Sequence, residues 1–265
     1  MKKNFFNNEW KIWIWSNISK GVSKQRIYND LVAQGYDIFT IINELRFIPD
    51  VFRKSDTINC EHIIKRLEES GAEKLDTPIP FFIFTNFITE IECQQIIEIQ
   101  KKENTRSTTG DNEEHKINEI RTSFTTYLEL IKSKESHVII QSVKQKILSM
   151  MGIPTEYSEK IQGQWYKQNG FYQDHFDAYD DYNQLQNHSG NRTWTCIITL
   201  NDVEEGGETY FPKLGKSFKP KAGQALIWYN LNEDGMADPL TLHSGKTVVK
   251  GEKFIMTQWF RQSIT

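Results

Sequence analysis

The stretch Gln173-Asp174-His175-Phe176-Asp177 decides the reading, together with the distant His243 and Lys253. On a β-strand, side chains two positions apart project from the same face. His175 and Asp177 are therefore expected to face one metal ion together. Two imidazoles and one carboxylate suit non-haem Fe(II) and leave coordination positions open. The third ligand must come from another strand, and His243 is the candidate for it.

Around this stretch the chain has a β-rich texture. From Lys160 onward, short alternating segments are punctuated by Gly, Asn, Asp and Pro. Gln162 to Lys167, Thr193 to Leu200, Gly207 to Phe211, Ala225 to Tyr229 and Lys253 to Phe260 all have strand character. Closely spaced short strands predict a sandwich or barrel of the jelly-roll kind. Lys250-Gly251-Glu252 reads as the turn between two of them.

The preceding residues are mixed. Residues 1–55 predict a three-helix module. Trp10, Trp13, Ile14 and Ile18 fall at helical spacing, and Ser23 caps a second helix carrying Ile27, Leu31 and Val32, with Gly35 at its end. Asp37 opens a third helix with Ile38, Ile41, Ile42 and Leu45, which stops before Pro49. Residues 56–76 read as a linker with one amphipathic helix around Ile63, Ile64 and Leu67. Residues 77–265 form the main domain. It starts with a strand-like Phe81 to Phe87, and the Thr89-Glu-Ile-Glu92 capping box opens a helix through Ile99. Residues 103–118 form a long polar loop. A strand from Arg121 to Leu128 follows, then a helix over residues 136–151. The fold class is α+β: a jelly-roll, cupin-like core with flanking helices behind a small helical module.

Composition excludes several classes. With 265 residues the chain can bury a sizeable core, and its net charge of −3 gives no footprint of a nucleic-acid binder. No apolar run reaches membrane-spanning length, and the apolar start is interrupted by Asn and Glu as no signal peptide would be. Cys60, Cys93 and Cys196 are far apart and odd in number. They read as reduced thiols of a cytoplasmic protein.

Taken together, His175-Phe-Asp177, Asn201-Asp-Val-Glu-Glu-Gly-Gly-Glu-Thr-Tyr-Phe-Pro212, Lys221-Ala-Gly-Gln-Ala-Leu-Ile-Trp228, His243-Ser-Gly245 and Gly251-Glu-Lys253 with Trp259 resemble the prolyl 4-hydroxylase family of Fe(II)/2-oxoglutarate dioxygenases. The resemblance spans roughly the last two thirds of the chain. It implies a double-stranded β-helix, Fe(II), 2-oxoglutarate and dioxygen, and admits L-ascorbate as an accessory. It implies His175, Asp177 and His243 as metal ligands, and Lys253, Tyr166 and Thr195 as partners of 2-oxoglutarate. A buried cation is costly unless an anion joins it, which fits Lys253 to a dicarboxylate. Lys253, Ile255, Thr257 and Trp259 share a strand face, so Trp259 is expected on the pocket side. On the substrate side the resemblance implies Arg121, Ser123, Glu159, Tyr172 and Trp259.

The chain departs from the family at Ser244-Gly245-Lys246, where many members carry Gly-Cys-Pro, and at Tyr179 to Asn191, a long loop placed to act as a lid. The implied activity is hydroxylation of an unactivated carbon, with a prolyl residue in a peptide or protein as substrate. A free amino acid is the alternative. Two other classes stay open: an oxygen- or iron-responsive regulatory protein that binds a partner, or itself, through residues 1–55, and a metal cupin without oxygenase activity.

Overall fold

The computed structural model describes residues 2–47, 49–50, 60–106, 121–179 and 190–263. Most of the 56–76 stretch falls inside these limits. Most of the long polar loop after Glu103 and most of the lid expected from Tyr179 to Asn191 lie outside the described residues.

Two antiparallel sheets face each other. The large sheet runs, in spatial order, Glu73–Lys74, Phe81–Phe84, Ala225–Tyr229, Arg192–Thr199, Lys253–Arg261, Gln162–Tyr166, Phe124–Tyr127 and Thr105–Arg106. The small sheet runs Lys216–Phe218, Thr209–Phe211, His243–Gly245 and Tyr172–His175. A two-stranded ribbon, Glu205–Gly206 with Val248–Lys250, completes a double-stranded β-helix. The Lys250–Lys253 turn is made at Gly251, whose φ of 90° is open only to a residue without Cβ.

Alternation along Lys253–Arg261 explains the layering. Every residue of that strand is buried. Lys253, Ile255, Thr257 and Trp259 face the space between the sheets, while Phe254, Met256 and Phe260 join the outer core. The same split holds for Arg192–Thr199, where Trp194, Cys196 and Ile198 pack outward. Strands buried on both faces need helices over the outer face.

Those helices are Glu90–Lys102 and Lys134–Met151, joined by Cys60–Glu69. The capping box at Thr89 forms as read, with Glu92 N–H donating to Thr89 Oγ1 (3.2 Å) and Thr89 N–H to Glu92 Oε2 (2.9 Å). The stretch read as a linker is more than a spacer. From Cys60 onward its apolar face, Ile63 and Leu67, is buried in the main core, and Arg66 donates to the Ser149 carbonyl (2.6 Å). Phe81 to Phe87 shortens to a strand over Phe81–Phe84, because Asn86 takes a left-handed turn (φ 57°).

At the N-terminus, helices Asn8–Ser19, Lys24–Ala33 and Ile38–Leu45 enclose their own cluster, including Ile14, Ile27, Leu31, Ile41 and Leu45. Ser23 caps the second helix through Arg26 N–H, and Asp37 the third through Thr40 N–H. Val32 does not join this core; it is partly exposed. Met236, from the loop between Ala225–Tyr229 and His243–Gly245, is buried in the same cluster, and Lys24 pairs with Asp234 of that loop. Cys60, Cys93 and Cys196 are free thiols, and burial pushes them up to about 11, 11 and 12, which disfavours their thiolate forms. Among the described residues no helix is long and apolar enough to cross a membrane.

Candidate metal centre and cavity

His175 ends one strand of the small sheet and His243 begins its neighbour, and the two are direct cross-strand partners. Asp177 is two residues beyond the strand end, in a bend, so the strand rule alone does not place it. Its carboxylate nevertheless reaches both imidazoles: Oδ1 is 3.8 Å from His175 Nε2 and Oδ2 is 3.8 Å from His243 Nε2. One ligand atom from each residue lies within 4.8 Å of the others.

Both imidazoles are oriented from behind. His175 Nδ1 meets the Gln173 carbonyl at 2.8 Å and His243 Nδ1 meets the Thr241 carbonyl at 2.9 Å. A carbonyl accepts, so each Nδ1 carries a hydrogen and each Nε2 is the nitrogen turned toward Asp177. Tyr172 stacks on His175 (3.6 Å between ring centres) and Phe211 on His243 (5.2 Å).

Burial, then the neighbouring His243, pushes His175 down to about 3. Burial alone would raise Asp177, but the two imidazoles and then Arg192 outweigh it and hold the carboxyl below its usual range. A neutral His175 beside an ionised Asp177 is the pairing a divalent cation requires. The donor set fits such a metal.

The three groups open onto a cavity of about 410 Å³ between the sheets. Lys253 lines it as well. It is 2% exposed, pairs across the sheet with Tyr166, and its Nζ donates to Thr209 Oγ1 (3.4 Å). Burial pushes its ammonium down to about 8, with Glu208 partly opposing. Tyr166 also lines the cavity, under the Lys253 ammonium (5.7 Å to the ring centre), and burial raises its phenol.

Trp259, Arg121, Tyr172 and Tyr179 line the rest. Arg121 donates from Nε to Ser123 Oγ (2.8 Å) and lies over the Tyr172 ring (4.9 Å). Ser123 is fully buried and supports Arg121 rather than facing the cavity.

Two further expectations change in the structure. Glu159 does not line the cavity: it holds Arg192 through two bonds (2.6 and 2.8 Å) and Arg261 through a third contact (2.7 Å), because a buried carboxylate needs such partners. Thr195 does not line the cavity. Its hydroxyl donates to Asp177 Oδ2 (2.8 Å), since its strand position puts it behind the metal ligand. The hydroxyl near Lys253 belongs to Thr209, inside the quoted Gly-Gly-Glu-Thr-Tyr piece, where alternation over Thr209–Phe211 turns it inward.

Arg192 escaped the sequence reading altogether. It lines the cavity, lies over the Trp259 ring (4.0 Å) and donates to the Asp177 carbonyl (3.3 Å). A guanidinium heading an otherwise buried strand was the available signal.

A facial set of two histidines and an aspartate inside a double-stranded β-helix, with a buried lysine in the same cavity, defines the class of non-haem iron oxygenases. Residues 161–261 match the profile of the 2OG-Fe(II) oxygenase superfamily. The chain is 33% identical over 201 residues to the probable prolyl 4-hydroxylase 4 of Arabidopsis thaliana, covering 67% of this chain and 66% of that one. It is 31% identical over 229 residues to the probable prolyl 4-hydroxylase 3 of the same plant, covering 78% of each. Among solved structures it is similar to a viral collagen prolyl hydroxylase from Paramecium bursaria Chlorella virus-1 in complex with 2-oxoglutarate, with 28% identity, a TM-score of 0.52, and 68% of this chain and 94% of that one covered. The chain belongs to the prolyl 4-hydroxylase family of 2-oxoglutarate- and Fe(II)-dependent oxygenases.

Proposed function

We propose that this chain hydroxylates prolyl residues in a peptide or protein, with Fe(II) held by His175, Asp177 and His243 and 2-oxoglutarate held at its far carboxylate by Lys253. The observation that carries this reading is the buried Lys253 ammonium in the same cavity as the three ligands. An ammonium so deeply desolvated calls for an anion. Thr209 and Tyr166 stand beside it as further polar contacts.

When bound, iron with 2-oxoglutarate and dioxygen supplies the oxidising power to hydroxylate an unactivated carbon, releasing succinate and carbon dioxide. The chain's own groups bind and orient. Nδ1–H bonds to carbonyls aim the imidazoles. Tyr172, Trp259, Arg121 and Arg192 surround the space a prolyl ring would fill, with aromatic faces for its apolar body and guanidinium donors for peptide carbonyls. The free thiols favour a reducing compartment such as the cytoplasm. Among the N-terminal helices, Asn8–Ser19 carries exposed Ile12 and Trp15, which are available to a partner.

The test is incubation with Fe(II), 2-oxoglutarate and a panel of proline peptides and free amino acids, with and without L-ascorbate. The expected result is succinate together with a mass gain of one oxygen on a peptide, abolished in His175→Ala and Asp177→Ala. Turnover retained in either variant overturns the site. Oxygen gained only by a free amino acid overturns the peptide reading.

A further inference from the structure

We infer that Thr195 and Asn230 form a relay that fixes the Asp177 carboxylate for metal binding, so that both are positioning residues; the inference presupposes the metal site proposed above. All three groups are buried. Asn230 Nδ2 donates to Thr195 Oγ1 (2.9 Å), and Thr195 Oγ1 donates to Asp177 Oδ2 (2.8 Å).

The direction of these bonds matters. A hydroxyl has one hydrogen. Because the Thr195 oxygen already accepts from the Asn230 amide, its hydrogen goes to Asp177. One carboxylate oxygen is thereby tethered, and the side chain cannot rotate without breaking a buried bond.

The relay is anchored at both ends. Thr195 lies within the Arg192–Thr199 strand, paired on one side with Trp228 and on the other with Trp259. Asn230 immediately follows the Ala225–Tyr229 strand; its N–H donates to the Thr193 carbonyl (2.8 Å), and its carbonyl accepts from Asp238 N–H (2.8 Å). Neither residue lines the cavity. Their effect on substrate is therefore indirect.

The experiment titrates the full-length apoprotein with Co(II), followed by its visible absorption, and records the melting temperature of each metal-free variant. Thr195→Val keeps the shape and removes the hydroxyl, and Thr195→Ser restores it. Groups that orient metal ligands usually contribute 10- to 100-fold in affinity. Thr195→Val is expected to weaken Co(II) binding by roughly that factor. Asn230→Ala is expected to weaken it less, in the same direction, and Thr195→Ser to return it to near the parent value. The metal-free melting temperature of Thr195→Ser should match the parent. If Thr195→Val and Asn230→Ala bind Co(II) as tightly as the parent, the relay is overturned while the metal site stands. If the parent itself does not bind Co(II), the metal site falls and takes the relay with it.

Discussion

Replacing Lys253 by Met should have opposite effects on stability and on ligand binding. The ammonium is 2% exposed, and its pKa falls from the ordinary lysine range near 10.5 to about 8, with burial the main cause. A lysine with a lower pKa folded than unfolded binds fewer protons in the native state between those two values. Stability therefore rises with pH between about 8 and 10.5, and the full penalty applies below 8. A displacement of that size corresponds to roughly 3 kcal/mol. Methionine fills a similar volume without the charge, so metal-free, ligand-free Lys253→Met should gain up to about 3 kcal/mol at pH 7. For a chain of this size that raises the melting temperature by several degrees.

Binding should respond in the other direction. Losing one partner of a buried charge pair costs about 2–5 kcal/mol, or roughly 30- to several-thousand-fold in affinity for 2-oxoglutarate. In the parent, only the protonated lysine attracts the dianion. The apparent dissociation constant should stay flat below pH 8 and rise about tenfold per pH unit above it. Anaerobic calorimetry with Mn(II)-loaded protein at pH 7 to 9.5, alongside thermal melts of the empty protein, measures both effects. The reasoning is refuted if Lys253→Met binds 2-oxoglutarate like the parent, or if parent affinity does not change over that pH range.

Two further substitutions probe the scaffold. Glu159→Gln leaves Arg192 and Arg261 without their buried counter-ion and should cost about 3–5 kcal/mol in chemical denaturation; with burial opposing, the two arginines, Arg192 first, hold the Glu159 carboxyl below its usual range, so this part of the parent's stability is present above pH 4.5 and is lost as pH falls through the lowered value. Gly163→Ala places a methyl 2.6 Å from the Gln100 amide, which must move and give up its bond to the Ile255 carbonyl (3.0 Å); a loss of about 1–3 kcal/mol in a urea melt is expected, and an unchanged midpoint would show that Gln100 can repack freely.

Local signals read well wherever the chemistry is local. Ser23, Asp37 and Thr89 cap helices as their residue types predict, since a cap needs only a side-chain oxygen and an N–H three residues on. The alternation from Lys253 to Trp259 placed four side chains in the cavity, because a pleated strand has a fixed period of two. Spacing was less informative at Asp177, which lies past the strand end, and at Cys60–Glu69, whose amphipathic face gave the helix but not the surface it covers.

By itself the sequence determined which residue types were on offer and, from Lys253 to Trp259, which strand face they share, because residue chemistry and backbone periodicity are properties of short segments. Only the tertiary structure decided which hydroxyl serves which group. Thr195 and Thr209 are both inward-facing strand threonines, and the pairing of distant strands puts one behind Asp177 and the other beside Lys253. The same is true of the arginines and their counter-ion. Glu159 and Arg192 are separated by 33 positions in the chain, and whether a charge meets substrate or another side chain depends on which buried groups the fold leaves for it to pair with.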